Sequence, residues 1–208
     1  MKTIYLWVKN EGWMQFDFDA EETKKALTDR NIVIGNSAVI GYSAKIGDLA
    51  VIGNSAKIGD SAVIGYSAVI GYSAKIGNYA KIGYSAKIGN SAVIGNSAVI
   101  GYYAEIGDLA EIGDLAEIGD SAIIGDSAVI GEKEIILKSI FITGTKHTVN
   151  WWGKGVINIG CHKKEISWWM KNYKMIGERA GYTDEEIEEY HQYILICQKL
   201  QKNIILSD

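Results

Sequence analysis

The side chains able to do chemistry in this sequence crowd into its last third. His147 and His162 lie there, and residues 31–131 contain no histidine at all. Imidazole titrates near neutrality and is the usual general base, so these two positions come first. A lone histidine in a small β-module reads first as structural or solvent-facing, and no catalytic residue is assigned. Cys161 adjoins His162, but neighbours in a strand point to opposite faces, which disfavours a Cys–His nucleophile pair. Cys161, His162 and Cys197 match no C-x-x-C or H-x₃-H spacing, so no metal site is expected. Gly153-Lys154-Gly155 is a turn signal rather than a phosphate loop. No cofactor is expected.

One local composition stands out. Between Ile136 and Lys164 there are five lysines and no acidic residue. Lysine attracts phosphate, and an exposed indole offers a flat face for a base. Lys146, His147, Trp151, Trp152, Lys154, His162, Lys163 and Lys164 are therefore the expected binding set. Their ligand would be a small anionic molecule, nucleotide-like. The competing reading is that one tryptophan packs into a core while the lysines only solubilise the module.

Composition bounds the rest. The chain has 208 residues, 48% of them hydrophobic, and a net charge of -4. That mild acidity argues against general nucleic-acid binding. No run approaches the roughly 18 apolar residues of a membrane span, so no membrane partner is expected. The start, MKTIYLWVKNEGW, has no apolar core with a cleavage site, and two cysteines make no disulfide framework. A cytoplasmic, reducing location is the expectation.

The element that must carry the tail is a repeat. Ile recurs every six residues from Ile34 to Ile130, seventeen times, each followed by Gly. Ala recurs at the same period from Ala38 to Ala128. Period six fits neither the 3.6 of a helix nor plain alternation, and it is the mark of a parallel β-helix. Ile should fill the interior, Ala the corner beside it, and Gly the turn backbone that other residues resist. Residues eighteen apart should stack at about 4.8 Å. Tyr66, Tyr84 and Tyr102 share one such column, Asn36 and Asn54 another, and Lys87 faces Glu105. Charge is segregated, with Lys45, Lys57, Lys75, Lys81 and Lys87 early and only acids from Tyr102 to Asp126.

Ile34, Gly35 and Ala38, with their equivalents in every later hexad, resemble the hexapeptide-repeat superfamily. The resemblance implies a left-handed parallel β-helix of about five to six coils, triangular in section, with chains associated as a homotrimer. It also implies acyl transfer, with acyl-CoA in a groove between subunits and a coil-borne histidine as base. This coil has no histidine and no extruded loop, so acyl or acetyl transfer stands second to non-catalytic binding. A purely structural rod stands third.

Both ends of an open β-helix need covers. Residues 1–31 read as an N-terminal cap, with a hairpin over 3–19 and a short helix from Glu21 to Leu27. The coil follows over 32–134. Residues 135–208 read as a small α+β module: strands at 135–142 and 156–159, a loop between them, and two helices. Gly181 stops the first helix, and Thr183 with Glu186 opens the second as a capping box. Phe141-Ile142-Thr143-Gly144, Gly160-Cys161-His162 and Ser167-Trp168-Trp169 resemble pieces of uncharacterised proteins of phages, prophages and gut bacteria. That likeness implies no activity, but it suggests sequestration of a host signalling nucleotide as a purpose.

Overall fold

The computed structural model describes residues 3–136, 138–153 and 155–205. Two compact units divide the chain after Ile136. The first is a parallel β-solenoid of about six turns, the architecture of the hexapeptide-repeat resemblance. Strands β1 (Thr3–Val8) and β2 (Gly12–Asp17) form an antiparallel hairpin, and helix α1 (Glu21–Asp29) follows. Short strands then run from β3 (Val33–Ile34) to β20 (Ile135–Ile136), one per hexad. Every third hexad falls on the same face, so three parallel sheets form with a register of eighteen residues, as in Ile46↔Ile64 and Ile58↔Ile76. The hairpin extends one face, with Ile4 opposite Ala44 and Leu6 opposite Ile46.

Burial follows the hexad. The isoleucines from Ile40 to Ile136 and the alanines from Ala44 to Ala128 are buried, while the residue before each isoleucine faces out. Each buried isoleucine is worth about 1.5–3 kcal/mol against exposure. Backbone amides bond from coil to coil, as in Lys81 N–H to Ala98 O at 2.8 Å and Gly83 N–H to Ile100 O at 2.8 Å.

The glycine has a different reason from the one expected. The left-handed turn residue lies two positions later, at Ser, Leu, Tyr or Lys, with φ between 50° and 60° in every hexad from Ser37 to Lys133. The strain of an L-residue there, about 1 kcal/mol, is offset from Ser55 onward by its amide, which bonds one coil back. Ser55 N–H reaches Asn36 O at 2.9 Å and Ser61 N–H reaches Tyr42 O at 2.7 Å. Glycine is needed because the next coil passes too close. A Cβ on Gly71 would lie 2.6 Å from Gly89 C and 2.7 Å from Asn90 N.

The position after each glycine also has a task. From Asn54 onward, where it is Asn or Asp, its side-chain oxygen accepts the amide of the residue eighteen earlier. Examples are Asn54 from Asn36 at 2.8 Å and Asp114 from Asn96 at 2.7 Å. Tyrosine cannot do this, and in one column Tyr66 stacks on Tyr84 at 5.1 Å and 8°. Tyr84 next meets Tyr103, tilted at 58°, rather than Tyr102 of its own column. Lys87 and Glu105 pair at 2.7 Å as the spacing requires.

The second unit departs from the expected layout. Ile135 and Ile136, read above as the start of its first strand, pair with Glu117 and Ile118 and close the solenoid. The strand of the second unit is β21 (Ile140–Thr143). The expected loop contains another, β22 (Thr148–Trp151), and two more follow, β23 (Val156–Ile159) and β24 (His162–Glu165). Together they make a four-stranded antiparallel meander. Helices α2 (Ile166–Arg179) and α3 (Asp184–Ile205) complete the unit. Its core joins Val149, Trp151, Ile157, Trp169, Ile194 and Cys197. The Thr183–Glu186 capping box is present, with amide bonds of 2.9 and 3.2 Å.

These two backbone demands separate in stability. Gly71→Ala is expected to cost about 1–3 kcal/mol or more, because the obstacle is backbone and cannot rotate away. Ser73→Gly should stay within about 1 kcal/mol of the parent, since relieved strain offsets lost chain stiffness. Urea unfolding of both variants checks the order.

Candidate functional site

Within the second unit a cavity of about 190 Å³ opens between the β23–β24 turn, the loop before β22 and helices α2 and α3. Apolar walls come from Ile159, Trp169, Ile176, Ile187 and Ile194. Its polar groups are His147, Tyr173, Tyr182 and Tyr190, with Cys161 and His162 at the turn.

Local sequence explains how these groups meet. Gly144 begins the tight loop before β22; a Cβ there would strike the Tyr190 hydroxyl at 2.6 Å. That hydroxyl donates to His147 O at 2.7 Å and accepts from Lys146 N–H at 3.0 Å, so α3 holds the loop. Glu189 adds a second tether by accepting the Thr145 amide at 3.0 Å. The Thr145 hydroxyl and amide hold the Glu189 carboxyl below its usual range. Gly160 has φ 56°, and a Cβ there would lie 2.7 Å from His147 Cδ2. Glycine at this turn thus makes room for the imidazole. Gly177 likewise lets α2 approach Ile187, where a Cβ would sit 2.6 Å from Cγ1. Gly181, at φ 72°, ends the α2 turn and delivers Tyr182 to His147.

His147 Nδ1 and the Tyr182 hydroxyl are hydrogen-bonded, and their rings stack at 5.9 Å. Burial pushes the Tyr182 phenol up to about 12, with Tyr190, Glu186 and Glu189 adding to the rise. The phenol is therefore neutral throughout the physiological range. Which partner donates depends on the imidazole tautomer. If the phenol donates, neutral His147 carries its proton on Nε2. If Nδ1 donates, Nε2 becomes the acceptor and the proton-abstracting atom. Cys197, buried in the core, is held neutral by desolvation that lifts its thiol to about 11.

The expected binding residues divide. His147 and His162 border the cavity, and His162 also lies edge-on to Trp169 at 6.4 Å. Lys146 is committed to Glu186 at 3.4 Å. The expectation of a free indole in the Trp151–Trp152 pair is corrected: they are 2% and 5% exposed. β22 makes the difference, because it pairs Trp151 with Ile157 and Ile140 and turns its ring into the core. Lysines and tryptophans do meet, but within the chain. Lys163 lies 5.3 Å over the Trp152 ring and Lys164 5.4 Å over Trp168. Lys154 lies outside the described residues. Cys161 and His162 both border the cavity, because Cys161 is in the turn and the alternation of a strand does not apply to it. Among the described residues no three His, Cys, Asp or Glu side chains cluster as metal ligands, and no helix is long and apolar enough to cross a membrane.

Sequence reasoning missed Tyr182 and Tyr190. Tyr182 follows the helix-stopping Gly181, which was the available signal. Tyr190 reads as an ordinary apolar-face residue of α3.

No family model matches this sequence, and neither does any curated protein. Solved structures do. An Arabidopsis UDP-N-acetylglucosamine acyltransferase is 25% identical with a TM-score of 0.40, over 50% of this chain and 49% of that one. A candidate acetyltransferase of Bacillus cereus is 15% identical with a TM-score of 0.37, over 96% and 97%. PerB of Caulobacter crescentus, solved with CoA and GDP-perosamine, is 18% identical with a TM-score of 0.28, over 55% and 57%. The matched region thus spans about half the length of the Arabidopsis enzyme. At these scores none of the likenesses bears on activity.

The Tyr182 shift has a pH signature. The folded phenol titrates near 12 against an ordinary 10.0, so the folded chain holds more protons between those values. The associated stability is whole below pH 10 and is lost as pH rises toward 12. Unfolding measured by urea from pH 9 to 12 should fall less steeply in Tyr182→Phe than in the parent.

Proposed function

We propose that the protein is a β-solenoid scaffold whose C-terminal module binds a small, largely apolar ligand at the His147–Tyr182 pair. The observation carrying this reading is the 190 Å³ cavity, apolar in its walls and polar at one edge. Drug-sized ligands occupy pockets of about 300–1,000 Å³, whereas a dry cavity of about 150 Å³ takes one benzene ring. A single ring or a short acyl chain is the matching size, and a dinucleotide is not. The buried state of Trp151 and Trp152 removes the stacking faces on which a nucleotide reading depended. His147 and Tyr182 would orient the ligand through one polar group, and the imidazole would set which end enters.

A second reading, acyl transfer, is favoured by one observation. Two of the three imidazoles in the sequence, His147 and His162, border the same cavity. The tautomer with Nδ1 donating to Tyr182 would leave His147 Nε2 to take a proton from an acceptor.

A thermal-shift panel of phenols, benzamides, short acyl amides and nucleotides separates these ideas. Ring-sized or short-chain compounds should stabilise the chain, by about 2.7 kcal/mol at a hundredfold excess over Kd. His147→Ala and Ala180→Leu, both at exposed positions lining the cavity, should abolish the shift. A shift produced by nucleotides alone would return the lysines to the centre of the reading. Incubation with acetyl-CoA should release no CoA above background, and release lost in His147→Ala would establish the second reading.

A further inference from the structure

One face of the solenoid carries a hollow of about 730 Å³. Val63, Lys81 and Val99 form its floor, and Tyr66, Tyr84 and Tyr102 stand along its rim. These tyrosines are 40–58% exposed, so the outer side of this aromatic strip is uncovered in the single chain. On the same face, Lys45 precedes a run of five outward residues at eighteen-residue spacing, Val63, Lys81, Val99, Glu117 and Ile135. This order is a palindrome in shape with opposite charges at its two arms.

Charge in the solenoid is organised by height. Lys75, Lys81 and Lys87 occupy three consecutive hexads, one on each face, and Glu105, Glu111 and Glu117 occupy three more. Copies packed side by side in parallel, at equal height, would set lysine on lysine and glutamate on glutamate. Antiparallel copies set unlike charges together. The three faces are not equally suited. On one, Lys87 and Glu105 already neutralise each other at 2.7 Å. On another, reversal about Val93 would match Lys75 with Glu111 but leave Lys57 against Val129. On the hollowed face, reversal about Val99 leaves no such mismatch from Val63 to Ile135.

We propose that this face is the interface with a second copy of the chain, packed antiparallel about a two-fold axis through Val99. Such an interface is isologous, so each contact occurs twice. Val99 meets Val99, Lys81 meets Glu117 of the other copy, and Val63 meets Ile135. A two-fold axis along the strand direction keeps the tyrosine rim against the tyrosine rim. Tyr102 then faces its own equivalent, and Tyr84 comes opposite Asp120. One Asp120 oxygen already accepts the Tyr102 amide at 2.8 Å, and the other is placed to take a tyrosine hydroxyl. Apolar and aromatic contacts supply the attraction, while the charges select direction and register.

Sedimentation equilibrium of the full chain at micromolar concentration tests this. The parent should be a dimer. Lys81→Glu and Glu117→Lys should each weaken association by about tenfold or more, since each sets like charges together twice. The double variant Lys81→Glu/Glu117→Lys should recover the parent's affinity, whereas a parallel assembly would show neither the loss nor the recovery, because its like charges stay like in every variant. Both residues are exposed, and circular dichroism checks that the fold is kept. In a Cys161→Ser background, Val99→Cys should form a disulfide between copies under mild oxidant. A monomeric or trimeric parent overturns the proposal, as does a double variant no tighter than the single ones.

Discussion

Everything in the solenoid rests on the close approach of one coil to the next. Backbone stacked at bonding distance leaves no space for a Cβ at the hexad glycines from Gly35 to Gly113, where the nearest backbone atom of the next coil would lie 2.4–2.7 Å away. The same distance lets an Asn or Asp side chain reach the amide one coil earlier, and it brings tyrosines into ring contact. It also converts sequence spacing into height. Residues eighteen apart become neighbours, so a linear drift from lysine to glutamate becomes a charge gradient along the solenoid. The surface that we assign to a second copy is a consequence of that conversion.

The C-terminal module obeys other rules. Its sheet is antiparallel, its helices are amphipathic, and its cavity arises where two helices and a turn fail to fill the space between them. Three glycines set the dimensions of that space by admitting a neighbour: Gly144 for Tyr190, Gly160 for His147 and Gly177 for Ile187. The polar groups are held from behind, His147 through its backbone by Tyr190 and through its ring by Tyr182. Such double support is what a binding site needs, because a loop residue held at only one point would lose more freedom on taking a ligand. Repetition does for the solenoid what individual contacts must do here.

The solenoid was legible because its information is periodic. Each hexad repeats the statement of its neighbours, and an isoleucine, glycine and alanine at fixed offsets leave one architecture. Even there the role of glycine was misjudged. Spacing shows where a glycine is required, but not whether conformation or a neighbouring backbone requires it. Ser55 and its later equivalents take the left-handed turn without glycine, helped by a hydrogen bond between coils that local sequence cannot display. In the module, the paired tryptophans were read as a loop because Thr148–Trp151 is only four residues long and flanked by turn residues. Its pairing with β21 and β23 made it a strand and buried the indoles.

By itself, the sequence determined the solenoid, its eighteen-residue register, the charge order along it, and the caps of the last two helices. These follow from local offsets, which a chain carries wherever it goes. Tertiary structure alone decided that His147 would meet Tyr182, thirty-five residues away, and that Cys161 and His162 would share a cavity with them. It also decided that Lys163 and Lys164 would lie over the rings of Trp152 and Trp168. Such encounters depend on how a meander and two helices fold back on each other. Small changes of register there move a side chain from the core to the surface, and no repeat constrains the outcome.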